Sequence, residues 1–199
     1  MSKTKREFSN ARKRENFYKQ AKEIDVRARS YFKLEQIDKK YSILKDGLTI
    51  IDLGAAPGGW LQYIDKKINN GKIIGIDLLE IKKKFEFSEK VQIIEDDFDE
   101  IENYISEKFD LVLSDMAPEF SGDSRADRGR THKLNLKTIE FCKKHLKTDG
   151  NLVFKTFEGE DLDTVRNEAK NLFRIVKEFK PDSSQKKSSE IFQICISKK

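Results

Sequence analysis

Short apolar runs recur along this chain, each closed by turn residues or a charge. They are "GLTIIDL" (47–53), "KIIGIDL" (72–78), "VQIIED" (91–96), "DLVLSD" (110–115) and "GNLVFKTF" (150–157). Runs of this length, rich in Ile, Leu and Val, predict buried strands. The segments between them carry helical spacing. In "SYFKLEQIDKKY" (30–41), Phe32, Ile37 and Tyr41 share one face, with Ser30 as the expected N-cap. Further helices are expected over 59–68, 98–107, 131–147 and 161–173, and a basic one over 6–22. A polar loop is expected over 119–130. "RIVKEFK" (174–180) and "EIFQICIS" (190–197) flank "PDSSQKKSS", which predicts an antiparallel pair.

Strand and helix thus alternate five times before a closing hairpin. This predicts an α/β, Rossmann-like fold: a mostly parallel seven-stranded sheet with a C-terminal antiparallel hairpin and helices on both faces. A basic extension (1–29) precedes the single domain (30–199). Ligands of such sheets bind beyond the carboxyl ends of the strands, where strand order reverses. At those ends stand Asp52, Asp77, Asp96 or Asp97, Asp115 and Lys155. Unpaired buried charge is costly, so these groups are expected to line a site.

The first strand runs into "IDLGAAPGGW" (51–60). Gly54, Gly58 and Gly59 permit a tight turn and close approach of a ligand to the backbone. The pattern differs from the dinucleotide fingerprint G-x-G-x-x-G, because Ala56 stands where the second glycine would admit a pyrophosphate. Asp77 follows at the distance expected of an acid that accepts hydrogen bonds from a ribose. A nucleoside ligand without a pyrophosphate satisfies both features. Taken singly, Asp77 and Asp97 could be helix caps and Trp60 a core residue.

Charge adds a second expectation. The net charge of the 199-residue chain is +5, yet residues 1–33 hold eleven Lys/Arg against four Asp/Glu. The other 166 residues therefore sum to −2. Such a segment is either a solvated helix or an electrostatic handle for nucleic acid. Cys142 and Cys195 have no partners at metal-ligand spacing and suit a reducing compartment, no stretch has membrane-spanning length, and the N-terminus lacks the apolar core of a secretory signal. A cytoplasmic, monomeric protein without a metal is expected.

The segments "RARSYFKLEQID", "IDLGAAPGGW", "GIDLLE", "EDDF", "DLVLSDMAP", "FKTFEGE" and "KPDSS…SEIF" occur in this order. Over residues 22–197 the chain resembles the FtsJ/RrmJ-type ribose 2′-O-methyltransferases. The resemblance implies that S-adenosyl-L-methionine is the methyl donor, contacted by Gly54, Gly58, Trp60, Asp77, Asp97 and Asp115. Asp77 would hold the ribose hydroxyls and Asp97 the adenine amino group; Asp97 is preferred to Asp96 because it directly precedes the phenylalanine. It also implies a catalytic set of Lys33, Asp115, Lys155 and Glu190, and RNA as partner, foremost a uridine of large-subunit ribosomal RNA. Two departures, Glu119 after "DMAP" and Ser189 before Glu190, bear on substrate contacts.

A ribose 2′-hydroxyl is a poor nucleophile, so oxygen, methyl carbon and sulfur must be aligned and the hydroxyl proton removed or shared. Lysine serves as such a base only where desolvation or a neighbouring cation disfavours its charged form. Ribose methylation of tRNA, a non-catalytic ribosome-assembly factor and an NAD-linked oxidoreductase are the competing readings.

Overall fold

The computed structural model describes residues 26, 28–81, 86–118, 123–159, 162–183 and 189–199. The expected basic helix over 6–22, nearly all of the 1–29 extension and Glu119 lie outside these residues.

The elements, in chain order, are helix α1 (Ser30–Tyr41), strand β1 (Thr49–Leu53), helix α2 (Gly59–Lys67), strands β2 (Lys72–Asp77) and β3 (Val91–Glu95), and a 3-10 helix (Phe98–Asn103). Strand β4 (Phe109–Ser114), helix α3 (Ser124–His145), strand β5 (Leu146–Phe157), helix α4 (Leu162–Leu172) and strands β6 (Phe173–Phe179) and β7 (Glu190–Lys198) complete the chain. The seven strands form one sheet in the order β3-β2-β1-β4-β5-β7-β6. Strands β1 to β5 pair in parallel, whereas β7 runs antiparallel to both β5 and β6. The expected sheet and hairpin are therefore present, with β7 inserted between β5 and β6.

Alternation along the strands divides the core. Ile50, Ile73, Leu111, Leu113, Val153 and Phe192 pack on one face with Leu34 and Ile37 of α1 and Leu61 and Ile64 of α2. Ile51, Leu53, Ile74, Val112 and Phe154 pack on the other, with Ile139 and Phe141 of α3 and Val165 and Ala169 of α4. Each large side chain fully buried in this way contributes about 1.5–3 kcal/mol. Because side chains alternate, Asp52, Asp77, Asp115, Lys155 and Glu190 all fall on the α1/α2 face, in line with Ile50, Ile73, Leu113, Val153 and Phe192.

Four local expectations are corrected. The N-cap of α1 is Arg29, without a side-chain bond, and Ser30 is already helical. The helix expected over 98–107 is only a 3-10 helix, capped by Asp97. Ile101 is the sole buried side chain within it, so further helical turns would gain no burial. Helix α3 begins at Ser124, inside the stretch expected to be a loop; the Asp123 carboxylate accepts from Ala126 N at 3.3 Å, a capping bond within a segment otherwise polar enough to read as a loop. Strand β5 begins at Leu146 rather than Gly150: Leu146 pairs with Phe109, after which the register shifts so that Asn151 pairs with Leu111, and Asp149 takes φ +61° within the irregularity.

Candidate active site

Strand order reverses between β1 and β4. The turn after β1 is held by backbone bonds: Gly54 N and Ala55 N both donate to Ile76 O, and Gly58 N donates to Ala55 O. Gly54 has φ +77°, and a Cβ there would stand 2.6 Å from Met116 Cγ and 2.9 Å from Met116 Cα. Only glycine lets the β1 turn and the segment after β4 come this close. Gly58, at φ +98°, is the N-cap of α2. Gly59 serves packing: a Cβ there would meet Ser30 Oγ at 2.4 Å and Ala28 Cβ at 3.1 Å, so its absence lets α1 lie against the start of α2. The peptide between Ala56 and Pro57 is cis.

A cavity of about 670 Å³ opens at this reversal, large enough for a nucleoside-sized ligand. Gly54, Ala56, Asp77, Asp97, Phe98 and Asp115 line it. The Asp77 carboxylate accepts from Ala56 N at 2.8 Å and from Leu79 N at 2.9 Å, which ties the end of β2 to the glycine turn. Asp97 accepts from Asp99 N at 2.9 Å and so caps the 3-10 helix while facing the cavity. Asp96 is turned elsewhere, accepting from Tyr104 Oη and from Asp97 N. Two expected residues stand off the cavity wall. Trp60 is 2% exposed; its indole N–H donates to Ser30 O at 2.8 Å and its ring packs on Phe192, with centroids 5.8 Å apart. Gly58 likewise lies behind the wall. Trp60 can offer a ligand its first-turn amide of α2, which has no acceptor within the helix, whereas the Gly58 amide is already donated to Ala55 O.

The lysines and acids form two ion pairs. Lys155 Nζ lies 2.9 Å from Asp115 Oδ1 and also donates to the Asp115 carbonyl oxygen. Lys33 Nζ lies 2.8 Å from Glu190 Oε2. Strand register joins the two: Lys155 pairs directly with Phe192, and Lys33 Nζ stands 5.7 Å from the centre of that ring. All four side chains are largely buried, between 8% and 17% exposed, where charge interactions are screened less than in bulk water. The chain end that delivers Glu190 is pinned as well, because Glu158 N donates to Ser189 O at 2.8 Å.

Asp52 departs from its expected place. It is 1% exposed, does not line the cavity, and neither carboxylate oxygen has a hydrogen-bond partner. Burial, reinforced by the charges of Asp115 and Asp77, holds its carboxyl well above the usual carboxylate range.

Sequence reasoning missed the wall contributed by α3, where Arg130, Lys133, Leu134 and Lys137 face the cavity. Their spacing of three and four residues was the available signal, obscured by reading a loop up to residue 130. Lys137 bridges to Asp99 of the opposite wall at 2.6 Å. Phe192 was also missed, although it lies two positions beyond Glu190 on the same strand face.

The family model for FtsJ-like methyltransferases matches residues 26–198, and the chain belongs to that family. It is a methyltransferase whose methyl donor is S-adenosyl-L-methionine. Among its relatives is the ribosomal RNA large subunit methyltransferase E of Bdellovibrio bacteriovorus, 37% identical over 94% of this chain and 97% of that protein. The protein of the same name from Methanosphaera stadtmanae is 40% identical over 91% of each chain. A crystal structure described as a ribosomal RNA methyltransferase of Plasmodium falciparum superposes with a TM-score of 0.73, at 26% identity, over 87% of this chain and 98% of that one.

Proposed function

We propose that this protein methylates a ribose 2′-hydroxyl of RNA, with large-subunit ribosomal RNA as its substrate. One observation carries the reading: the Lys155–Asp115 pair stands where the donor cavity ends, and the Lys33–Glu190 pair adjoins it through Phe192. The relatives' shared name directs it to the large subunit, and the +7 segment at residues 1–33 supplies charge for RNA phosphates.

The donor supplies a methyl group already activated on a sulfonium, so the protein's tasks are placement and proton handling. Asp77 offers its carboxylate to the donor's ribose hydroxyls, and Asp97 accepts from the adenine amino group. Gly54 keeps the wall thin, Gly58 shapes the entry to α2, and Trp60 presents its backbone amide. Asp115 fixes Lys155 through two contacts, which leaves the third position on Nζ, the lone pair of the neutral amine that a base requires, for the acceptor hydroxyl. On methylation of the acceptor 2′-oxygen, its hydroxyl proton would pass to the lone pair of Lys155 Nζ. Lys33 and Glu190 hold the acceptor ribose in line with the methyl group; alignment of this kind supplies on the order of 7–11 kcal/mol.

Purified protein incubated with labelled donor and either large ribosomal subunits or bulk tRNA tests the substrate. Labelling of the subunit alone is expected. Preferential labelling of tRNA would assign the chain to tRNA ribose methylation, and labelling of neither would favour an assembly factor.

A further inference from the structure

Asp52 has no part in the mechanism above, yet its position is costly. Its carboxyl sits at the end of the central strand β1, 1% exposed, with both oxygens unpartnered. A buried polar group left unpaired costs about 1–3 kcal/mol, and an ionised one far more. Folding alone would favour an apolar side chain here. On the same sheet face, one strand away on either side, are Asp77 of β2 and Asp115 of β4, both of which line the donor cavity.

We propose that Asp52 discriminates donor from product by charge: it is a neutral carboxylic acid in the free protein and with the product bound, and a carboxylate while the sulfonium is bound. The inference rests on the cavity being the donor site. Donor and product share an ammonium and a carboxylate; they differ by the methyl group and the positive charge on sulfur. A third carboxyl behind Asp77 and Asp115 meets that charge through a low-dielectric layer, where it is weakly screened. Entry of the sulfonium favours loss of the Asp52 proton to solvent. After methyl transfer the sulfur is neutral, three adjacent carboxylates repel one another, and Asp52 takes a proton back. Product is thereby held less tightly than donor, which favours its release.

The charged groups around Asp52 support this sequence. Asp77 and Asp115 both raise the cost of its ionisation. The nearest cation on β5, Lys155, is engaged by Asp115, and Lys33 of α1 is engaged by Glu190. From α2 come Trp60, Leu61 and Ile64, which carry no charge, while its Tyr63 hydroxyl donates to Asp38. No lysine or arginine among the described residues is paired with Asp52, so the incoming ligand is the source of positive charge.

Titration calorimetry of the full chain, in two buffers of different ionisation enthalpy, counts the protons released on binding. S-Adenosylmethionine should release more protons than S-adenosylhomocysteine. As pH rises through the raised titration range of Asp52, donor affinity should rise relative to product affinity, by up to about tenfold per unit where release is complete. The cationic analogue sinefungin should follow the donor. In D52N, which keeps the side-chain shape, the difference in proton count should vanish; the wild-type comparison decides the matter even where that variant folds poorly. Equal proton counts for donor and product, or a difference that persists in D52N, overturns the inference while leaving the donor site intact. Failure of both ligands to bind overturns the assignment of the cavity and this inference with it.

Discussion

Lys33 and Glu190 are separated by 157 positions in sequence, and their charged atoms meet at 2.8 Å. Helix α1 brings one and the start of β7 the other, so the pair exists only once the last strand has inserted beside β5. Removing either partner leaves a mostly buried charge uncompensated. Both K33A and E190A should lose turnover, and the double variant should lose little more than the worse single one. A double-mutant cycle under single-turnover conditions should give a coupling of about 0.5–3 kcal/mol. Additive losses would mean that the two residues act independently.

Lys155 separates proton chemistry from mere positive charge. Arginine keeps the charge but cannot give up its proton at ordinary pH. K155R should therefore lose about as much single-turnover rate as K155A, roughly 10²-fold or more. Donor affinity measured by calorimetry should stay near the wild-type value in both. Retention of most of the rate in K155R would reduce the role of Lys155 to electrostatic positioning.

Gly54 couples the donor turn to the segment carrying Asp115. G54A places a Cβ at φ +77° and within 3 Å of the Met116 backbone. The left-handed conformation alone costs about 1–2 kcal/mol. Donor affinity should fall at least about tenfold, with a lower Tm. M116A should not rescue it, because the clash with Met116 Cα at 2.9 Å remains. Wild-type donor affinity in G54A would show that the turn can move aside.

Asp52 also predicts a pH dependence of stability. Its carboxyl is raised in the folded state, so between about pH 4, where an unfolded aspartate titrates, and its folded value the native state binds the extra proton. Its contribution is intact below that window and is lost as pH rises through it, at up to about 1.4 kcal/mol per unit. D52N should be more stable than wild type at pH 7 and about equal to it near pH 3. Denaturant melts at both pH values check this, and a D52N that is no more stable at neutral pH would count against a neutral Asp52.

The strands were legible because β1, β2 and β4 are short Ile/Leu/Val runs closed by a charge, and burial on both faces makes such runs continuous. The motif residues Asp77, Asp97, Asp115 and Lys155 were legible because each sits within two residues of a strand end. The start of α3 was not: residues 123–130 are polar and carry no apolar stripe to signal a helix. Trp60 could not be told apart as a wall or core residue, since its indole is fixed by Ser30 and Phe192, 30 and 132 positions away. Asp52 stood among the strand-end acids by spacing alone; only tertiary packing separates the one buried acid from those that face the cavity.

The central claim is transfer of a methyl group to a ribose oxygen. A 2′-O-methyl group blocks alkaline cleavage of the adjoining phosphodiester, whereas a methylated base does not. Ribosomal RNA labelled by this protein with a methyl-labelled donor should therefore release its label, after alkaline hydrolysis, in alkali-stable dinucleotides, and RNA treated with K155A should release almost none. Label recovered in mononucleotides would place the methyl group on a base and contradict the account.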